Sequence, residues 1–580
     1  MLVSESETTL CPSRVSGWAL PNKVTSASQL PEKKIHVNTK HKLDAVFVGY
    51  ENQENLGLRY IISYLESHGF QTALVPYIPH EPAEVIEAVV LHKPDLVGFS
   101  VIFQYNLYEF GELMEKLREE GISVHFTAGG HYPSLRPRRT LTEVPTLDSV
   151  VRFEGEITTL ELLRRVNHPQ KWESILGLAF RRGNNVVINP PRPLVSDLDE
   201  LPWPKRGDFR QTTRRVGAAP ILASRGCLHN CSFCSIREFY AGTPGPLRRT
   251  RSPYDVVAEM RDLFKDRGVR LFLFQDDDFA AKSRRQRRWI YDFLHLLEAA
   301  GLSSEIGWKI SCRVDDVDPE VMAHCRKHGL MVVYLGVESG NMKGLKTLNK
   351  HVTVKQNFAA MRTLKELGLE FDMGFMLFDP DSTIETVREN LIFLKEVARL
   401  EGPPISFVKM LPLAGTAIEK RLATEGRLTG DDIRPDYDLL DPRLDYYALF
   451  VTLNFSFRNS DPQGLVERLR LAYFDRLVAQ RFERPQWAED YRGGVRSLID
   501  TANHSAVDAM EQALDLVESC PDKDSVAIAW PKLNAIVSQE QRIQKEILSE
   551  LNKLLEIYSP GLCQAFRQED LRRQALAENS

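Results

Sequence analysis

From residue 43 onward the chain alternates short apolar runs with longer segments that are apolar at helical spacing. This alternation restricts the fold more than any other feature. A strand reached through a helical crossover pairs parallel to its predecessor, and the crossover is right-handed. The first series has strand-like runs in "LDAVFVGY", "QTALVPY", "DLVGFSVIF", "SVHFTAGG" and "SVVRFEGE". Helical segments such as "ENLGLRYIISYLESHGF" separate them. Residues 43–168 are therefore expected to form a doubly wound, Rossmann-like domain, preceded by an arm over 1–42. Its ligand belongs at the carboxyl ends of the strands, which carry Gly49, Ser100, Gly129, Gly130, Glu154 and Gly155.

Residues 169–215, with "NPPRPLVSDLDELPWPKRGDF", read as a proline-rich linker. A second alternating series follows, with strands "PILASRGC", "VRLFLFQDDD", "IGWKISCR", "LMVVYLGVESG", "EFDMGFMLF" and "PISFVKMLP". It predicts a partial (β/α)6 barrel of TIM type over 216–428, with chemistry at the strand carboxyl ends. Residues 429–580 are mostly helical in pattern and are expected to cover the barrel mouth and select the substrate. The fold class is α/β with a helical C-terminal domain.

At 580 residues the chain exceeds one ordinary core, which agrees with several domains. A net charge of −5 and a pI near 6.3 give no general drive toward nucleic acid, and none is expected as partner. No apolar run reaches the length of a membrane span, and "MLVSESETTLCPSRVSG" lacks a basic-then-apolar signal pattern. The expected location is cytoplasmic. Eight cysteines in this length do not make a disulfide scaffold.

Three of those cysteines, Cys227, Cys231 and Cys234, crowd into "SRGCLHNCSFCS" just after the first strand of the second series. A structural zinc site needs four closed ligands. No further His or Cys lies at a natural spacing; His229 is expected to face out of the loop, and Cys312 ends a different strand. Iron–sulfur clusters are also thiolate-bound, usually through four cysteines. A cubane held by three leaves one iron open to a substrate.

The Cys-x₃-Cys-x₂-Cys spacing, with Phe233 before the last cysteine, resembles the radical S-adenosylmethionine (SAM) superfamily. The resemblance implies a [4Fe-4S] cluster on Cys227, Cys231 and Cys234. SAM would chelate the open iron and yield a 5′-deoxyadenosyl radical on reduction. It further implies SAM contacts from Phe233 and from Gln275, Asp276, Asp277 and Asp278 in "FQDDDF", with Asp277 foremost. Ser311 and Arg313 in "KISCRVD", and Gly336 and Glu338 in "YLGVESG", resemble later strand-end motifs. The fifth strand ends in Asp379–Pro380–Asp381, where many relatives carry Gly-x-Pro-Gly-Glu.

An α/β domain ahead of such a barrel resembles the cobalamin-dependent radical SAM group. The resemblance covers about 43–425. The usual Asp-x-His-x-x-Gly fingerprint, aligned on Gly57, has Asn52 and Glu54 in the Asp and His slots, so no histidine is offered below cobalt there. Ser100, Gly129, Gly130, Glu154 and Gly155 correspond to cobalamin-lining positions. His131 is read as a loop histidine at a strand end. "RRTR" (248–251) could contact phosphate.

The function implied is a methyltransferase that acts on an unactivated carbon through the adenosyl radical and methylcobalamin. The alternative is a non-methylating enzyme of the same group catalysing ring contraction, cyclisation or rearrangement. A methylthiotransferase is disfavoured, because only Cys11 precedes Cys227. The expected partners are a small-molecule or peptide substrate and an external electron donor of flavodoxin or ferredoxin type.

Overall fold

The computed structural model describes residues 42–51, 54–207, 215–280 and 282–578. Asn52, Cys11 and most of the expected N-terminal arm lie outside the described residues.

The N-terminal module runs β1 (Ala45–Gly49), α1 (Leu56–Ser67), β2 (Thr72–Pro76), α2 (Ala83–His92) and β3 (Leu96–Ser100). It continues with α3 (Leu107–Glu119), β4 (His125–Gly129), α4 (His131–Leu135), α5 (Pro137–Glu143), β5 (Ser149–Val151) and α6 (Glu156–Arg164). β1 is buried at every position because parallel neighbours flank it on both sides. That is why "AVFVG" is continuously apolar rather than alternating. α1 begins where the Asn55 side chain accepts from the Leu58 N–H at 3.1 Å, and the chain turns at Gly69 in the left-handed region.

The sheet order is β2-β1-β3-β4-β5-β6-β7, where β6 is Leu178–Arg182 and β7 is Asn185–Ile188. β1 to β5 are parallel, and the last two strands join antiparallel. The direction of winding reverses between β1 and β3, which opens a crevice at their carboxyl ends. The hairpin corrects the expectation of an irregular linker from 169. "RRGNN" forms the turn, with Gly183 at φ 54°, and short β-prone runs on either side extend the sheet.

The second module contains β8 (Gly217–Ile221), β9 (Ser224–Arg225), α7 (Ser235–Ala241), β10 (Arg249–Thr250), α8 (Pro253–Arg267) and β11 (Val269–Phe274). Then come α9 (Arg284–Ala299), β12 (Gly307–Arg313), α10 (Pro319–Lys327), β13 (Leu330–Glu338), α11 (Met342–Thr347) and α12 (Val354–Glu366). β14 (Glu370–Phe378), α13 (Ile384–Arg399), β15 (Val408–Lys409) and α14 (Ala417–Thr424) complete it. Its six-stranded sheet, in order β15-β14-β13-β12-β11-β8, is wholly parallel and open at both edges.

The helical region is α15 (Pro442–Ser460), α16 (Leu465–Phe482), α17 (Ala488–Glu518), α18 (Lys523–Tyr558) and α19 (Pro560–Glu578). An open half-barrel leaves its inner apolar positions uncovered. Leu465 and Leu469 of α16 cluster with inner-face Leu271, Leu273 and Val332. Buried leucines of this kind stabilise by about 1.5–3 kcal/mol each. Polar groups of α16 add Arg476–Glu370 at 2.6 Å, a Tyr473–Glu370 hydrogen bond and Arg470–Asp372 at 3.4 Å. These partners lie toward the amino ends of the strands. α16 therefore seals the barrel floor, the end away from the mouth.

Candidate functional site

The cysteine loop leaves β9 through Gly226, whose φ is 86°. A Cβ there would sit 1.9 Å from the Leu247 carbonyl oxygen, so only glycine fits. The loop is fastened on several sides. The Gly226 N–H donates to Asp277 at 2.9 Å, and Ser232 donates through N–H and hydroxyl to Leu348 and Thr347. Asn349 donates to the Asn230 carbonyl at 2.8 Å. The Ile418 N–H at the start of α14 donates to Ser232 at 3.0 Å.

All three cysteines are partly buried and unpaired. Burial pushes the Cys227 and Cys234 thiols up to about 12. Thiolates at these positions require a compensating positive charge, which iron supplies. The loop thus fits a three-thiolate cluster by its own chemistry. Cys312 is buried in the apolar core on the strand face opposite Ser311 and Arg313, and is no fourth ligand.

Arg313 links the loop to the strand ends. It donates to Cys231 Sγ at 3.4 Å and pairs with Asp315 at 2.9 Å. It also donates to the Lys350 carbonyl, and the Lys350 ammonium lies 3.5 Å from Glu338. Glu338 holds φ at 67°, and burial raises its pKa against the pull of Lys350. Gly336 lies under this pair: a Cβ there would meet Glu338 and Lys350 at 3.0 Å. Ser311 accepts from the Phe279 N–H through its carbonyl. Phe233 packs against the barrel core.

The acids of "FQDDDF" separate. Asp276 is buried and braces the loop, accepting from the Ala223 N–H at 3.1 Å and from the Ser224 hydroxyl. Asp277 faces a cavity. Burial raises both carboxyls to about 6. Asp278 points elsewhere, toward His229 at 3.4 Å. The outward orientation expected for His229 is corrected: Asp278 and Asp316 flank its imidazole and raise its pKa to about 9.

A cavity of about 310 Å³ runs along the seam between the two modules. One wall comes from the strand ends of the first sheet, with Ser100, Gly129, Gly130, Glu154 and Gly155. The other comes from the barrel, with Ser224, Arg225, Tyr240, Gln275 and Asp277. Gly130 has φ 126°, and a Cβ there would meet the Val101 carbonyl oxygen at 2.1 Å. Only glycine lets this strand end pack so closely against the Val101–Ile102 backbone. The wall is mostly apolar or glycine, which suits a large planar macrocycle with a polar fringe.

Several expected contacts do not reach the cavity. Glu54 is turned away: it accepts from Arg206 and from the Gly207 N–H, both at 2.8 Å. Asp276, Asp278, Ser311, Arg313, Gly336 and Glu338 do not line it either. Glu154 lines it, but its carboxylate is committed to Arg225, Arg249 and the Val195 N–H. Despite burial, those arginines hold its pKa low. "RRTR" is likewise internal, since Arg249 pairs with Glu154 and Arg251 with Asp255 and Glu259.

Other cavity residues escaped the sequence reading. Asn55 donates to the Ser100 hydroxyl at 3.2 Å while capping α1, and its N-cap position was the available signal. His131, read as a strand-end loop residue, stands in the cavity wall with its ring 4.7 Å from that of Phe239. Burial lowers its pKa to about 4, so it is neutral at pH 7.

A strand-switch crevice thus faces an open half-barrel that carries a three-cysteine loop. Residues 45–163 match the family described as "B12 binding domain", and 221–394 match the "Radical SAM superfamily". The chain belongs to the cobalamin-dependent radical SAM enzymes. The two domains imply cobalamin, SAM and a [4Fe-4S] cluster as its cofactors.

The chain is 28% identical over 341 residues to "Uncharacterized methyltransferase PH0819" of Pyrococcus horikoshii, covering 58% of this chain and 71% of that protein. It is 30% identical over 338 residues to "Anaerobic magnesium-protoporphyrin IX monomethyl ester cyclase" of Cereibacter sphaeroides. That alignment covers 56% of this chain and only 53% of the cyclase. In fold, the chain is similar to the cobalamin-dependent SAM radical enzyme OxsB with aqua-cobalamin bound. The TM-score is 0.66 at 18% identity, covering 91% of this chain and 84% of that one. TsrM from Kitasatospora setae, with cobalamin and [4Fe-4S] cluster bound, gives 0.54 at 18% identity, covering 66% and 75%. Among the described residues, no helix is long and apolar enough to cross a membrane.

Proposed function

We propose that the protein is a methyltransferase that methylates an unactivated carbon of a small-molecule or peptide substrate. The observation that carries this reading is the shared seam cavity. Strand ends of the B12-binding domain form one wall, and Gln275 and Asp277 beside the cysteine loop form the other. When bound, cluster and SAM supply the 5′-deoxyadenosyl radical, and cobalamin supplies the methyl group.

The chain's own residues position and exclude. Cys227, Cys231 and Cys234 hold the cluster, and the Arg313 guanidinium beside Cys231 offsets thiolate charge. Gln275 and Asp277, which line the cavity, are assigned to the SAM amino group. Ser311, Gly336 and Glu338 are assigned to the remainder of SAM. Ser100, Gly129, Gly130 and Gly155 bring backbone close to the corrinoid. The apolar wall keeps water from a radical intermediate. A flavodoxin- or ferredoxin-type donor supplies electrons.

The names of "Uncharacterized methyltransferase PH0819" and of "Hopanoid C-3 methylase" from Methylococcus capsulatus support methylation. The alignment to a cyclase favours, as second reading, cyclisation or rearrangement without methyl transfer. Anaerobic turnover of reduced, cobalamin-loaded protein with SAM trideuterated at the methyl separates them. A product bearing the label, formed together with 5′-deoxyadenosine, is expected from a pool of candidate substrates. A converted substrate without the label overturns methylation, and a fully reconstituted protein that never forms 5′-deoxyadenosine overturns the enzyme reading.

A further inference from the structure

His229 sits between two cluster cysteines, yet its ring turns away from the seam cavity, and neither it nor its neighbours line that space. Nε2 lies 3.4 Å from Asp278 Oδ2 and 3.6 Å from Asp316 Oδ2. One ligand atom from each residue falls within 4.8 Å of the others. The three residues come from separate elements: the cysteine loop, the segment after β11, and the turn Val314–Asp316 after β12.

The carboxylates are unusual for buried acids. Their side chains are 2% and 1% exposed. Apart from the His229 ring, neither Asp278 oxygen nor Asp316 Oδ2 meets a hydrogen-bond donor among the described residues. Only Asp316 Oδ1 is satisfied, by the Lys282 N–H at 2.7 Å. Arg313 is the nearest guanidinium on β12, and it is committed to Asp315, Cys231 and the Lys350 carbonyl. Arg248 reaches the Asp278 carbonyl, not its carboxylate. Even a charged imidazole brings one positive charge to two buried carboxylates, and the remaining charge is costly to bury unless a further cation compensates it.

The spacing fits a cation. Two ligand atoms, each about 2.1 Å from one ion and subtending 90–110°, lie about 3.0–3.4 Å apart. The imidazole–carboxylate separations, 3.4 and 3.6 Å, lie at and just beyond the upper end of that range, so a bound ion would draw the ligands slightly together. One nitrogen and two carboxylate oxygens, with positions left for water, suit a first-row divalent ion rather than a thiolate-seeking one.

We propose that His229, Asp278 and Asp316 form a divalent-cation site of the manganese(II) or iron(II) class that ties the cysteine loop to the ends of β11 and β12. The dication balances the two carboxylates and fixes the loop from the side opposite the seam. This reassigns Asp278 from a SAM contact to a metal ligand, and it stands independently of the methyl-transfer reading.

The test uses protein reconstituted with its cluster in the oxidised, EPR-silent state. Manganese(II) chloride is added anaerobically, and the six-line signal of the free aqua ion is followed. A single bound ion per chain is expected, with Asp278→Asn and Asp316→Asn each weakening binding by about tenfold or more. Iron and sulfide contents report whether each variant keeps its cluster. In parallel, wild-type crystals soaked in manganese should show an anomalous peak between the three side chains, a readout that needs no variant. Free-ion signal from the first addition and no anomalous peak would mean that an imidazolium alone bridges the carboxylates, and would overturn the site. Manganese bound equally by both variants would overturn it as well.

Discussion

Gly226 and Gly183 show how differently two glycines with positive φ can matter. At Gly226 a methyl would drive into the Leu247 carbonyl, and the same N–H holds Asp277. At Gly183, φ is 54° but nothing lies within 4 Å of an added Cβ. Gly226→Ala is therefore expected to lose most of its iron and sulfide after reconstitution. Gly183→Ala, strained by about 1 kcal/mol, is expected to keep them; equal iron in both variants contradicts the reading of the loop. At this scale the sequence was partly legible. Cysteine spacing and strand-end placement pointed to the loop. The directions of His229, Asp278 and Glu54 were not readable, because each is set by partners at Asp316 or Arg206, distant in the chain.

At the scale of elements, strand positions followed from apolar runs; β14 coincides with "EFDMGFMLF". The β6–β7 hairpin was missed because the prolines that follow it coloured the whole stretch. The seating of α16 was also hidden, since nothing local in "LVERLRLAYFDRLVAQRF" says that its arginines meet Glu370 and Asp372. Burial alone would raise the Glu370 carboxyl, but Arg476, Lys365 and the Tyr473 hydroxyl bring it down to about 2.

A depressed carboxylate pKa contributes stability above the unfolded value near 4.3, and that contribution is lost as pH falls toward 2. The size here is about 3 kcal/mol. Urea unfolding of wild type and Glu370→Gln should differ at pH 6, and the gap should narrow by pH 3. A gap independent of pH contradicts this account of the floor.

For the whole molecule, two buried ion networks hold the modules together along the seam. Arg225 and Arg249 of the barrel grip Glu154, while Arg206 bridges Glu54 and Glu259. Breaking one partner of a buried pair costs about 3 kcal/mol or more. Glu154→Gln is expected to release cobalamin on gel filtration while keeping its iron, because the cysteine loop is fastened by other contacts. Retention equal to wild type would show that the clamp does not shape the cavity. Alternation in the sequence foretold two parallel sheets, but the seam between them is built from charges far apart in the chain.

The central claim is that this seam seats the corrinoid against the cluster loop. Anomalous scattering from crystals of the protein loaded with cobalamin and cluster tests it most directly. Cobalt is expected in the cavity bounded by Ser100, Gly130, Gln275 and Asp277, with iron at Cys227, Cys231 and Cys234. Cobalt located outside that cavity, or iron away from those sulfurs, would contradict it.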